Sequence, residues 1–317
     1  PIDERFKKSE VVGIIARVVQ AAMLGGDCHP ATPIGINLPN AEWIRERYGS
    51  KSVTLDNITY AYNQTSLTSG VLDEFAYSEE EKELVRKYGY LGGNVHTDLH
   101  ECLGHGSGKM LPGVGQEALK NYYSTIEETR ADLFALYYVM DPKLVELGVI
   151  PSLDVAKSEY CNYIRNGLMV QLTRVKLGNN LEESHMRNRQ LIASWVYEKG
   201  KASNVIERVV RDGKTYFTIR DYDALRQLFG KLLAEIQRVK SEGDFAGARD
   251  LIEGYGVRID PVLHEEVLER YRKLNVAPYA GFVNPEYKLV EKEGNITDVE
   301  ITYPTDFLAQ MLEYGNM

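Results

Sequence analysis

Cysteine is scarce: Cys28, Cys102 and Cys161 are the three in 317 residues, an odd number with no paired spacing. A disulfide framework is therefore not expected, and a reducing setting such as the cytoplasm is. Basic residues are in the minority, 37 Lys and Arg against 46 Asp and Glu, for a formal charge of −9. No basic stripe offsets that balance, so a nucleic-acid partner, which needs positive charge against phosphates, is not expected either. Long apolar runs are missing too. The longest, 11–25, contains Arg17 and Gln20 and falls short of the about 20 residues that cross a bilayer, so it reads as a buried helix and no membrane association is expected. No positively charged leader with a cleavage site opens the chain. What remains is ordinary globular usage, 44% hydrophobic and 26% charged, enough to build a sizeable core. The chain starts at Pro1 with a helix-like segment already under way, which reads as a boundary inside something longer.

The hydrophobic pattern predicts a mainly α chain. Residues 9–24 carry the dense apolar spacing of a core helix stopped by Gly25 and Gly26, and the Pro-rich stretch from His29 to Asn40 must be irregular. A short helix is expected over 41–48, and 53–62 mixes β-branched and aromatic residues without a clear period. Further helices are expected over 78–87, 124–140, 153–175, 181–199, 221–241 and 262–274. Between them, Asp212-Gly213 flanked by alternating residues predicts a two-residue β-hairpin within 204–220. The tail from Asn275 reads as irregular, with a few possible strand residues.

The informative stretch is His100-Glu101-Cys102-Leu103-Gly104-His105. Two imidazoles flanking a glutamate on a helix are the ligand-and-base arrangement of zinc peptidases, where the histidines hold Zn²⁺ and the carboxylate takes a proton from water. The usual spacing is four residues; here it is five, which on an ideal helix rotates the second histidine by about 140° from the first. A one-residue bulge would restore convergence, and Gly104 is the place for it. A catalytic zinc needs a third protein ligand. Glu128 is the candidate, with Asp132 four residues on, and so on the same face, to accept the free N–H of a ligating histidine. Glu127 has two readings: it reaches back to Ser124 as a capping box, or it supports the metal ligands from outside. His96 lies four before His100 and reads as a neighbouring polar residue, and Cys102 as a packed thiol.

Together with Glu127-Glu128-Thr129-Arg130-Ala131-Asp132, the His100–His105 stretch resembles the two signature motifs of the dipeptidyl peptidase III family, zinc metallopeptidases that release dipeptides from peptide N-termini. The family commonly has Cys where this chain has Thr129 and Glu where it has Asp132, so the shorter Asp132 must approach its histidine more closely. The resemblance runs from about residue 30 to 275. It implies a multi-helix catalytic lobe with one Zn²⁺ on His100, His105 and Glu128, Glu101 as general base, and His185 assisting at the scissile carbonyl. It also implies substrate contacts from Asn37 and Asn40 at the peptide's amino end and from Arg189, Arg272 and Lys273 along the cleft. Each of these has a plainer reading: Asn37 and Asn40 as turn residues, His185 as a surface histidine, Arg272 and Lys273 as complements to a helix C-terminus.

Residues 1–317 are accordingly read as a single zinc-binding catalytic domain of a longer two-lobed protein, with an oligopeptide substrate and an N-terminal lobe as partners. Two competing readings stand beside it: an isolated zinc-binding lobe that binds peptide but turns over little, and a zinc hydrolase acting on other amides.

Overall fold

The computed structural model describes residues 1–8, 15–23, 33–38, 44, 47–49, 51–276 and 282–316. Among them three short strands form one sheet in the order β1-β3-β2, with β1 at Ile15–Val19, β2 at Gly35–Leu38 and β3 at Lys51–Leu55. β1 runs parallel and β2 antiparallel to the central β3. The core helix expected over 9–24 is thus replaced, where described, by an edge strand, and Val18 is 60% exposed. A short apolar run fits either period, and here the β-branched Ile15, Val18 and Val19 pair with β3. The ambiguity of 53–62 has a simple cause: a strand ends at Leu55 and helix α1, Asp56–Thr68, begins at the next residue.

The rest is mainly helical. α2 covers Val71–Phe75 and α3 covers Glu79–Leu99, started by Ser78, whose hydroxyl accepts from the Glu81 amide. α3 runs directly into a π-type turn over His100–His105. Then follow α4 at Tyr123–Val139, α5 at Pro142–Glu146, α6 at Asp154–Leu168 and α7 at Ser184–Gly200. The expected hairpin is present as β4, Ile206–Arg211, and β5, Lys214–Ile219, with Asp212 and Gly213 both at positive φ as a type I′ turn requires. Beyond it lie α8 at Tyr222–Glu242, α9 at Phe245–Leu251 and α10 at Pro261–Leu274. The tail is more regular than its composition suggested: β6, Glu286–Lys292, pairs with β7, Asn295–Thr302, and α11 spans Phe307–Tyr314.

One helix organises the core. α4 packs against α3, the π-type turn, α7 and α8, and Leu133, Ala135, Leu136 and Val139 on it are wholly buried. A helix buried on nearly every side has no water to serve its polar side chains. Glu127, Thr129, Arg130 and Asp132, all buried on α4, must therefore find partners inside the protein.

Candidate metal centre

The π-type turn resolves the five-residue spacing. Widening the helix over His100–His105 brings the two rings together, with Nε2 of His100 and Nε2 of His105 3.1 Å apart. The close approach of this turn to α4 depends on Gly104: a Cβ there would lie 2.6 Å from Cα and 2.7 Å from Cβ of Ala131, inside any allowed contact. Because the turn and α4 touch at that point, Glu128 arrives opposite the histidines, its Oε2 3.3 Å from His100 Nε2 and 3.9 Å from His105 Nε2. The three donor atoms lie within 4.8 Å of one another.

Each histidine is oriented from behind by a different carboxylate. His100 Nδ1 donates to Asp132 Oδ1 at 2.7 Å, and His105 Nδ1 donates to Glu127 Oε1 at 2.8 Å. Those bonds place the hydrogens on Nδ1 and leave Nε2 of both rings as lone pairs aimed at one point. The third group aimed there, Glu128 Oε2, is buried and has no hydrogen-bond partner among the described residues. Three converging electron pairs repel one another unless a cation lies between them. Two imidazoles and a carboxylate are a donor set that suits Zn²⁺, so the residues fit the metal. Burial opposes charging of His100, but the bond to Asp132 and the nearby Glu128 carboxylate outweigh it and push its pKa up to about 10.

The outer carboxylates are themselves held. Burial disfavours their ionisation, yet Arg130 and Lys240 keep the Glu127 carboxyl well below the usual carboxylate range. His100 and His96 do the same for Asp132. Glu127 accepts from Arg130 Nε at 3.0 Å, Arg130 Nη2 at 2.7 Å and Lys240 Nζ at 2.7 Å. Asp132 accepts from Tyr163 Oη at 2.7 Å through Oδ2, and His96 Nε2 lies 3.2 Å from its Oδ1. The other ring nitrogen of His96 is 3.0 Å from Glu159.

Among the other residues singled out in the sequence, Glu101 follows His100 on the π-type turn, partly buried and within electrostatic reach of Asp98. His185, in the first turn of α7, is 53% exposed and places Nδ1 3.6 Å from Glu128 Oε2. Arg189, one turn further along, is partly buried and within electrostatic reach of Tyr163. Asn37 lies on β2 opposite Ser52 of β3, and Asn40 falls outside the described residues. Arg272 and Lys273 are not brought to the cluster: Arg272 lines a groove of about 340 Å³ with Leu177, Glu265, Leu268 and Glu269, and Lys273 pairs with Glu269. α4 begins without a side-chain cap, and the Glu127 carboxylate turns to His105 rather than to Ser124.

Four participants escaped the sequence reading. Lys240 had a visible signal, since it falls with Leu233 and Ile236 on the largely apolar face of α8. Glu159 and Tyr163 are four apart on α6 and share a face, but nothing local says that this face meets His96. Arg130 lies within the second motif, but its place there gives it no role of its own; it is completely buried.

The chain is also similar to known proteins. The chain is 29% identical over 313 residues to dipeptidyl peptidase 3 of Mus musculus, covering 83% of this chain and 42% of that protein, and 28% identical to the Homo sapiens counterpart over the same shares. It therefore spans less than half the length of these relatives. The fold is shared with the solved structure of DPP III from Caldithrix abyssi, at a TM-score of 0.67 and 24% identity over 86% of this chain and 49% of that one. The model of peptidase family M49 matches residues 28–119 and 115–297. With well over half of its length so matched, the chain belongs to peptidase family M49, the dipeptidyl peptidase III family.

Proposed function

We propose that this chain is the metal-bearing part of a zinc-dependent peptidase that releases dipeptides from the N-terminus of oligopeptides, with one Zn²⁺ held by His100, His105 and Glu128. The observation that carries the reading is the convergence of His100 Nε2, His105 Nε2 and Glu128 Oε2, with both Nδ1 atoms anchored on carboxylates. Zn²⁺ bound there supplies a Lewis acid that polarises the scissile carbonyl and acidifies water.

The chain's own side chains do the rest. Glu101 accepts a proton from the attacking water and returns it to the leaving amine. His185, exposed and facing Glu128, donates to the oxygen on which charge develops. Asp132 and Glu127 keep the two imidazoles in the tautomer and orientation that binding demands. Asn37 and Asn40 fix the free amino end of the peptide, while Arg189, Arg272 and Lys273 meet the part beyond the scissile bond. The free thiols Cys102 and Cys161 accord with a reducing, cytoplasmic setting, and no described helix is long and apolar enough to cross a membrane.

The test pairs hydrolysis of a dipeptidyl naphthylamide with zinc analysis of the wild type and Glu101→Gln. The expected result is one zinc per chain in both proteins and a loss of turnover of about 10²- to 10⁴-fold in the variant. Unchanged hydrolysis would remove Glu101 from its role, and a wild type that takes up no zinc would overturn the reading. A second reading rests on length: the chain spans 42% of its mouse relative, so a lobe carried elsewhere in a longer protein would supply the opposing wall of the cleft. Stoichiometric zinc without turnover would favour that binding-only behaviour for the chain alone.

A further inference from the structure

Lys240 is the unexpected member of the cluster. It is 5% exposed, on α8, and reaches Glu127 Oε2 at 2.7 Å. Burying an ammonium is expensive, and well-packed apolar residues in place of a whole buried ion pair are often neutral or stabilising. A reason is therefore needed for a cation here, the more so because Arg130 already makes two bonds to the same carboxylate.

The reason lies in where the two cations come from. Arg130 is three residues from Glu127 on the same helix, and its Nη1 donates to the Ser107 carbonyl at 2.8 Å, so it ties Glu127 to α4 and to the end of the π-type turn but not to α8. Lys240 comes from another helix. That same stretch of α8 also fastens the chain that leaves His105: the Leu111 amide donates to the Ser241 carbonyl at 2.8 Å, and Ser241 Oγ donates to the Lys109 carbonyl at 2.7 Å. Gln237, one turn back, packs on Gly108 and donates to Ser241 Oγ. α8 thus grips both sides of the His105–Glu127 hydrogen bond, the carboxylate through Lys240 and the histidine's segment through Ser241.

Resting on the metal-site reading above, we infer that Lys240 is a positioning residue of the metal centre, acting through Glu127 to hold the His105 ring at the metal. Two effects of removing it have opposite signs. Taking a positive charge away from a dication site tightens metal binding by simple electrostatics, whereas releasing Glu127 from α8 loosens it, toward the about 10- to 100-fold that follows when an outer partner of a ligating histidine is lost altogether. The inference is that positioning dominates.

The experiment measures zinc affinity of the full chain by chelator competition in the wild type, Lys240→Met and Lys240→Arg, with thermal unfolding as a control for folding and the visible spectrum of the cobalt-loaded proteins as a report on ligand geometry. Lys240→Met is expected to bind zinc about tenfold or more weakly and to alter the cobalt bands, with Lys240→Arg restoring affinity to within about threefold. Should Lys240→Met not fold, Lys240→Gln, polar but too short to reach Glu127, decides in its place with the same expectations. Unchanged or tighter zinc binding in the folded variant overturns the inference while leaving the metal-site reading intact. A wild type without zinc affinity fails that reading instead.

Discussion

Replacing Gly104 with alanine tests the joint between the two motifs. A Cβ at this position would stand 2.6 Å from Ala131 Cα, 2.7 Å from its Cβ and 3.0 Å from its carbonyl oxygen. Ordinary carbon contacts begin at about 3.5 Å, so the π-type turn must retreat from α4 by roughly 1 Å. Backbone is the obstacle on both sides, and no flexible side chain can give way. Overpacking of this kind destabilises by about 1–3 kcal/mol. The effect on the centre is larger than on the fold, because ligand positions must be kept within about 0.2 Å and the displaced turn carries both histidines while α4 carries Glu128, Glu127 and Asp132. Gly104→Ala is therefore expected to remain folded, with a lowered unfolding temperature, and to lose zinc affinity by about 100-fold or more. That is beyond what a single lost outer hydrogen bond removes. Chelator competition and differential scanning fluorimetry read the two effects separately. A folded Gly104→Ala protein with zinc affinity within about threefold of wild type would refute the argument that this contact sets the geometry of the site.

Other substitutions address other parts of the centre. His185→Ala should lower kcat of dipeptidyl naphthylamide hydrolysis by about 10²-fold and leave zinc content at one per chain; a parallel loss of zinc would place His185 among the ligands. Asp132→Asn should weaken zinc binding by about 10- to 100-fold, and unaltered affinity in a titration would detach Asp132 from His100. For pH dependence, Glu74 is opposed by burial, but its ion pairs with Lys214 and Arg270 hold its carboxyl below the usual range. A depressed pKa contributes stability that is present above about pH 4.3 and is lost as pH falls through the folded value. Unfolding temperature should therefore drop on acidification with a limb that Glu74→Gln makes shallower. The same temperature for both proteins at pH 7 would count against the ion pairs.

Much of the centre was legible because it is local. The five-residue gap between His100 and His105 demanded an extra residue in the turn, and the structure supplies it as a π-type widening. The i, i+4 relation of Glu128 and Asp132 put one opposite the ring nitrogens and the other behind His100, and the shorter aspartate does approach, to 2.7 Å. Lys240, Tyr163 and Glu159 reach the centre from helices far along the chain, and no periodicity within α6 or α8 states which helix will lie against it. The edge strand β1 was mistaken for a helix because five apolar-rich residues carry too few repeats to distinguish the two periods. The β6–β7 hairpin was foreshadowed only as a few possible strand residues for a different reason: Val299 and Ile301 do alternate with Asp298, Glu300 and Thr302, but the turn falls on Glu293-Gly294, outside the strongest two-residue turn pairs, and nearly all of its side chains are exposed.

The grading of exposure around the centre has a kinetic meaning. His105 is 11%, His100 12% and Glu128 18% exposed, while His185, facing Glu128, is 53% exposed. Behind the ligands stands the buried helix α4, which offers no passage. On the proposed reading, metal exchange uses the more open side on which His185 stands, the same side from which a peptide would be read by that residue. A bound peptide then acts as a stopper, and the exchange of zinc for a radioactive isotope should slow in proportion to peptide occupancy.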